Sequence, residues 1–383
     1  MSPAFLPGAM IGILGSGQLG QMLALEARRM GYGIAVFSPD ADTPCGRIAD
    51  REIVAPYSDL DAVRAFAASV DVVTYEFENV PSETVAAIES VGVSVRPGAN
   101  VLHVAQNRLR EKAFFVSLGI ATPPFAPVRT AGSIAEAVGV TGLPAVLKTV
   151  GSGYDGKGQR TVRTGDEAIV AFAELGGVEC VLEGFVRFAW EGSVVAARGV
   201  SGDFAHYGLV RNEHALSILD VTTAPAPDAS PALAQEAIDA TRRIMDALDV
   251  VGVLCVEFFV TPEGELLANE MAPRPHNSGH WTQNGAITNQ FEQQLRAVCG
   301  LPLGDTAMTQ PGAAIANLLG DLWDNGEPDF AAMLRDFPGA KLHLYGKREA
   351  RPGRKMGHIV AIAPTPEAAR EHALAARARL TRQ

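Results

Sequence analysis

Apolar positions in the first part of the chain fall in short runs separated by stretches of helical spacing. Met10–Leu14, Ile34–Phe37, Asp71–Tyr75 and Val93–Val95 read as strands, and a helical pattern runs from the end of the first to Met30. Strands parted by helices predict a parallel sheet covered by helices, closing near Pro97-Gly98. A helix begins near Asn107, and Thr122-Pro123-Pro124 breaks the chain after it. The texture then changes. Pro144–Thr149, Gln159–Arg163, Cys180–Glu183 and Ser193–Gly199 read as strands with turns between them, a mostly antiparallel region. Ser230–Leu248 is an amphipathic helix, Gly312–Leu319 and Lys341–Tyr345 open a last region, and Pro366–Arg379 reads as an Ala/Arg-rich helix.

The most informative pattern is residues 253–280, VLCVEFFVTPEGELLANEMAPRPHNSGH. Two apolar runs flank Thr261-Pro262-Glu263-Gly264, which predicts a β-hairpin. A two-residue loop at Glu263-Gly264 puts Glu257 opposite Glu270. A type I turn with a bulge at Gly264 puts Glu257 opposite Asn269 and diagonal to Glu270. Either register brings the acidic groups within about 5–8 Å of each other. Like charges that close among apolar neighbours call for a cation, and oxygen ligands with room for water and phosphate suit Mg²⁺. The alternative, two solvated glutamates at a sheet edge, fits poorly with a Glu257 wedged into CVEFF.

Charge and cysteine usage narrow the class. A net charge of -11 argues against a nucleic-acid coat or an anionic-membrane binder. The four cysteines, Cys45, Cys180, Cys255 and Cys299, lie far apart, which predicts reduced thiols. No secretory signal pattern or bilayer-length apolar run is present, so a soluble cytoplasmic protein of two or three domains is expected.

Two glycine-rich loops carry candidate chemistry. Gly15–Gly20 (GSGQLG) matches a dinucleotide fingerprint, with Asp40 about twenty residues on, and on its own supports a nicotinamide-dependent dehydrogenase. The bland alternative is a turn that lets strand and helix pack closely. The second loop, Gly151–Gln159 (GSGYDGKGQ), joins two strands and has a lysine and an aspartate among its glycines; it reads as a phosphate nest and a closing flap. Lys148, ending the apolar strand before it, needs an anionic partner if its head is buried. Lysine, flap and distant carboxylates together predict an ATP site. Glu183-Gly184-Phe185-Val186 reads as an adenine hinge, Glu191 as a ribose acceptor, and His214 as a polar residue flanked by loop. RPGRKMGH, Arg351–His358, with Lys347 upstream, is a basic cluster suited to a second anionic substrate.

In this order Lys148, GYDGKGQ, EGFV, Glu257 and Asn269-Glu270-x-Ala-Pro-Arg274 resemble the ATP-grasp superfamily. NEMAPRPHNSGHWTQNGA at Asn269–Ala286, GSGQLGQML at Gly15–Leu23 and RPGRKMGH resemble, within it, the 5-(carboxyamino)imidazole ribonucleotide synthetases of purine biosynthesis. The resemblance implies an α/β ATP-grasp fold. A Rossmann-like pre-ATP-grasp domain would occupy 1–104, the ATP-grasp domain 105–300 and a small β-rich substrate-binding domain 301–383. It also implies that GSGQLG binds no nicotinamide, that ATP, Mg²⁺, bicarbonate and 5-aminoimidazole ribonucleotide are used, and that the protein is a homodimer. A formate-dependent glycinamide ribonucleotide transformylase is the nearest alternative ligase.

By position, the resemblance lines the ATP site with Arg108, Lys148, the Gly153–Gln159 loop (Gly153, Tyr154, Asp155, Gly156, Lys157, Gly158, Gln159), Glu183, Gly184, Phe185, Val186, Glu191, His214, Asn269 and Glu270. Glu257 and Glu270 would hold Mg²⁺. Around the second substrate it places Glu76, Tyr154, Asp155, Lys157, Arg274, His276, Asn277, Ser278, Lys347 and Arg354. Asp155, Lys157 and Arg274 would be catalytic: Asp155 takes the amine proton, Lys157 holds the carboxyl, and Arg274 joins Lys148 and Mg²⁺ in clamping the γ-phosphoryl.

Overall fold

Strand order shows how the chain is divided. The computed structural model describes residues 4–151 and 158–381. Four parallel strands, β1 (Met10–Leu14), β2 (Gly33–Ser38), β3 (Arg51–Val54) and β4 (Val72–Tyr75), form a sheet in the order β3-β2-β1-β4. Both faces are covered, as a parallel sheet requires, with Ile11 and Ile13 packing into one core and Leu14 and Val73 into the other. The predicted strand Val93–Val95 contributes only a bridge from Val95 to Val73. β3 was not predicted, because its REIV side chains are partly or fully exposed at the sheet edge and leave no apolar run.

After the helix Arg108–Ser117, capped by the Asn107 side chain, come β5 (Phe125–Val128), β6 (Ala145–Thr149), β7 (Gln159–Val162) and β8 (Cys180–Gly184). They pair antiparallel in the order β5-β8-β6-β7. The helices Ile134–Thr141 and Gly165–Glu174 bury Ile134, Ala137, Ala168 and Phe172 against Leu147 and Leu182, making a small lobe.

The remaining strands are β9 (Trp190–Arg198), β10 (Phe204–Ala215), β11 (Ile218–Ala224), β12 (Gly252–Val260), β13 (Leu266–Ala272), β14 (Gly312–Leu319), β15 (Lys341–Leu344) and β16 (Lys355–Ala363). All eight join one antiparallel sheet in the order β13-β12-β9-β10-β11-β14-β16-β15. The helix Pro231–Ala247 packs Ala237, Ile244 and Met245 on one face, beside Val194, Leu254 and Val256. Two expectations need correction. His214 is in β10 rather than flanked by loop, and RPGRKMGH is only half loop, since Lys355 and His358 are in β16.

The helix Gln290–Cys299 holds the N-terminal sheet to the large one. Phe291, Leu295 and Val298 pack under Ile11 and Ile34, while Gln294 accepts from Val253 N–H and donates 2.9 Å to Thr74 Oγ1. Among the described residues the four cysteines are buried and free, and no helix is long and apolar enough to cross a membrane.

Candidate active site

The β12–β13 hairpin combines the two registers open at the sequence level. Near the turn Val260 faces Leu266 and Phe258 faces Ala268, with Gly264 in the left-handed region at φ 84. Asn269 is then an extra residue, and past it Glu257 pairs with Glu270. This bulge aims both carboxylates to one side of the sheet. It also leaves Asn269 Oδ1 buried without a hydrogen-bond partner.

Each carboxylate already has a basic neighbour. Glu270 Oε2 accepts from Arg108 Nη1 at 2.7 Å, and Glu257 Oε1 lies 3.1 Å from His276 Nε2. Burial pushes the Glu270 carboxyl up, but the Arg108 guanidinium and Lys148 outweigh it and hold the group below the ordinary carboxylate range. For His276 burial lowers the imidazole, and Cys255 and Glu257 raise it by more.

A second ionic cluster joins the lobes. Lys148, on β6, reaches Glu183 Oε2 on β8 at 2.9 Å, the anionic partner its apolar strand required. Lys112, only 1% exposed, gives 3.2 Å contacts to the same oxygen and to the carbonyl of Asn269 on β13. One ammonium therefore links the small-lobe sheet to the large one. Beside it Glu111 accepts from Met271 N–H at 2.7 Å, and burial together with Glu270 raises its carboxyl well above the ordinary value. Sequence reading missed Glu111 and Lys112, although NRLREK places both on the first turns of a capped helix where a charged pair has no apolar stripe to belong to.

Arg108, Glu111, Lys148, Glu183, Glu257, Glu270 and His276 line one cleft of about 1140 Å³, and Lys112 is buried beside it. Of the expected nucleotide residues, Arg108, Lys148, Gln159, Glu183, Gly184, Phe185, Val186, Glu191, His214, Asn269 and Glu270 lie on its wall, as do Glu76, Glu257, Arg274, His276 and Asn277. His214 Nδ1 sits 2.7 Å from Glu191 Oε2, so that pair is one unit. Ser278 is buried behind the wall, bonded to Ser193 Oγ at 2.8 Å. Gly158, Lys347 and Arg354 are not on the wall; Lys347 Nζ donates 2.7 Å to Lys355 O, and Arg354 Nη1 donates 2.9 Å to Glu349 O. Their neighbours Tyr345 and Lys355 do line it, so β15 and β16 reach the cleft. Gly153, Tyr154, Asp155, Gly156 and Lys157, and with them most of the predicted flap, lie outside the described residues.

The structure gives GSGQLG a definite role. Gly17 N–H and Gly20 N–H both donate to the Glu76 carboxylate, the latter at 2.7 Å. A Cβ on Gly15 would lie 2.5 Å from Glu76 Cγ, so glycine is required for that approach. The helix start that a dinucleotide pyrophosphate would occupy is filled by the chain's own carboxylate. Glu78, two residues on, grips Arg274 at 2.5 and 3.1 Å. Sequence reading passed over Glu78, but its place after β4, at the carboxyl end of a parallel strand, marks a ligand crevice.

The donor set fits a hard cation. Two opposed carboxylates and the unsatisfied Asn269 Oδ1 are all oxygen ligands, and open cleft leaves room for phosphate and water. Among the described residues no group of three or more His, Cys, Asp or Glu side chains gathers for a metal, so phosphate would have to complete the coordination.

Comparison with known proteins agrees with this arrangement. Residues 9–106 match the ribonucleotide synthetase preATP-grasp domain, 113–291 the ATP-grasp domain, and 313–372 the phosphoribosylaminoimidazole carboxylase C-terminal domain. The N5-carboxyaminoimidazole ribonucleotide synthase of Bacillus subtilis is 44% identical over 353 residues, 92% of this chain and 91% of that one. The structure of the corresponding synthetase from Thermus thermophilus superposes with TM-score 0.89 at 47% identity, covering 98% of this chain and 99% of that one. A synthase from Aspergillus clavatus, solved in complex with ADP and 5-aminoimidazole ribonucleotide, superposes with TM-score 0.86 at 28% identity over 97% of this chain and 98% of that one. The chain belongs to the N5-carboxyaminoimidazole ribonucleotide synthase family of ATP-grasp enzymes.

Proposed function

We propose that this chain joins bicarbonate to the amine of 5-aminoimidazole ribonucleotide, using ATP and Mg²⁺ and releasing ADP and phosphate. That it is an ATP-dependent ligase of purine biosynthesis follows from its family. The observation that carries the finer reading is the meeting, in one cleft, of Lys148–Glu183, Arg108–Glu270 and Glu257–His276 with Tyr345 and Lys355 of the C-terminal strands. A nucleotide bound between the lobes would then face a second substrate held from the far end.

Bicarbonate is a poor electrophile, so its activation as carboxyphosphate is the step that needs ATP. The γ-phosphoryl transfer needs positive charge around its oxygens, and Lys148 and Arg274 would supply it. Each is held ready by a carboxylate, Glu183 or Glu78, and so needs little rearrangement. Mg²⁺, held by Glu257 and Glu270, would add its charge at the phosphates. Asp155 is assigned to the amine proton and Lys157 to the carboxyl. We further propose that the protein works in the cytoplasm as a homodimer; light scattering of the purified protein would check the latter.

The test is phosphate release from ATP by the purified protein. Release is expected only when 5-aminoimidazole ribonucleotide and bicarbonate are both present. Equal release without either one would reject the reading.

A further inference from the structure

HNSGH and the neighbouring pair KLHLY and RKMGH, far from it in sequence, each send one histidine to the same buried place. The rings of His343 and His358 stack at 4.5 Å and 6° between planes, across paired positions of β15 and β16. His280 lies against His358, 4.8 Å between centroids and tilted by 33°. His280 and His358 are essentially inaccessible, at 1% and 0% exposure. Nothing in the ligase reading uses them.

Hydrogen-bond polarity fixes the state of His280. Gln290 Oε1 accepts from the His276 N–H at 2.9 Å, so its amide nitrogen is the group that faces the His276 carbonyl at 2.8 Å and His280 Nδ1 at 2.9 Å. His280 Nδ1 must then accept, and the ring carries its proton on Nε2. Tyr345 Oη lies 2.8 Å from His358 Nδ1; with the phenol as donor the His358 proton sits on Nε2, which is buried without a hydrogen-bond partner. Burial holds His280 well below the ordinary imidazole range, the positive charge of His276, Lys355 and Arg274 adds to that, and two adjacent imidazolium ions at these separations would repel strongly. Burial also depresses His343 and His358.

The stack bridges two ends of the cleft. At one end Gln290 holds the main chain of His276, whose ring meets Glu257. At the other the Tyr345 ring lies 5.7 Å from Lys347 Nζ, which is anchored on Lys355 O. We propose that His280, His358 and His343, stacked as neutral rings between Gln290 and Tyr345, are positioning residues that set Lys347 and Lys355 relative to His276. They thereby fix where the anionic end of the second substrate sits relative to the metal carboxylates. The proposal rests on the ligase reading for the identity of that substrate.

Steady-state kinetics of Tyr345→Phe, His358→Leu and His358→Asn test it, varying 5-aminoimidazole ribonucleotide and ATP in turn. Asparagine can set an oxygen near the lost Nδ1 and accept from Tyr345, whereas leucine cannot. Tyr345→Phe and His358→Leu are expected to raise the KM for the ribonucleotide about three- to tenfold, the size of one lost hydrogen bond. The KM for ATP should stay within about twofold of wild type, and His358→Asn should recover most of the loss. Equal rises in both KM values, or an asparagine variant no better than the leucine one, would overturn the proposal. Long-range ¹⁵N–¹H NMR of histidine-labelled wild-type protein supplies a readout independent of turnover. His280 and His358 should both show the neutral Nε2–H tautomer at pH 6.5, and an imidazolium signature at either one rejects the stack. Wild-type protein that shows this tautomer but does not turn over the ribonucleotide would overturn the substrate assignment and the substrate-positioning role, leaving the neutral stack intact.

Discussion

Glu257 and Glu270 face each other across β12 and β13, each joined to a basic residue from a different element, His276 in one case and Arg108 in the other. Replacing either glutamate by glutamine keeps the volume and removes the charge that a divalent cation needs. Turnover at saturating ATP is expected to fall about a hundredfold or more, the usual scale for losing one electrostatic contact to a transferring group. A magnesium titration of both variants checks this, and an unchanged magnesium dependence would refute the metal assignment.

Lys112 is the internal tie between the lobes. Lys112→Met removes the ammonium that Glu183 Oε2 and the Asn269 carbonyl share. Glu183 keeps Lys148, so the cost should fall near the lower end for a broken buried pair, about 3 kcal/mol. Denaturant unfolding measures it, and the KM for ATP should rise in the same variant if ATP binds where proposed, because Glu183 and Asn269 both lie on the cleft wall.

Lys347 and Arg354 are not on the cleft wall, but if they hold the substrate's phosphate, Lys347→Ala and Arg354→Ala are expected to raise the KM for 5-aminoimidazole ribonucleotide. The loss should be about 1.5–3 kcal/mol for each phosphate contact removed, roughly ten- to a hundredfold. A rise confined to the KM for ATP would transfer these residues to the nucleotide site.

Asp155→Asn should leave nucleotide affinity near wild type and abolish carboxylated product, if the carboxylate acts on the amine. Isothermal titration with ADP and a product assay on the same preparation separate the two effects. A collapse of ADP affinity would place Asp155 in the phosphate cradle instead.

The C-terminal helix Pro366–Ala378 is fixed to β10 by a bidentate pair, Arg370 to Glu213 at 2.6 and 2.7 Å. The hydrogen bond from Arg370 pulls the Glu213 carboxyl below its ordinary value. A depressed carboxyl stabilises the fold above its unfolded pKa, and that contribution disappears as pH falls through the folded value. Arg370→Leu should therefore lower Tm at pH 7 and have little effect once the pH lies below the lowered folded value of the Glu213 carboxyl. Both groups are partly exposed, so the difference should not exceed about 1 kcal/mol. An equal Tm loss at both pH values would point to packing rather than charge.

Much of the site was legible because the chemistry repeats in short motifs. Lys148 stood out as a charge in an apolar strand, and Glu257 did so again in CVEFF; both proved to be paired inside the cleft. What stayed hidden depends on contacts between distant segments. Gln290, Gln293 and Gln294 drew no notice in the sequence, yet all three are buried with their amides hydrogen-bonded. Local periodicity cannot tell such residues from solvated ones. Nor could it foresee the bulge at Asn269, since turn chemistry fixes the register only near Gly264. β3 escaped for a related reason: an edge strand half in water carries no run of apolar residues.

The C-terminal strands do not form a detachable cap. β14 is hydrogen-bonded to β11 through Val221–Ala224, and these pairs hold the middle of the eight-stranded sheet rather than its margin. Cutting the chain before β14 would strip that row of partners and bare the edge of β11, a ready template for a second copy's strand. The fragment would be sticky rather than smaller. The strands proposed to hold the second substrate are thus also part of the structural spine, so the cleft's far wall cannot be exchanged without rebuilding the sheet that carries the near one.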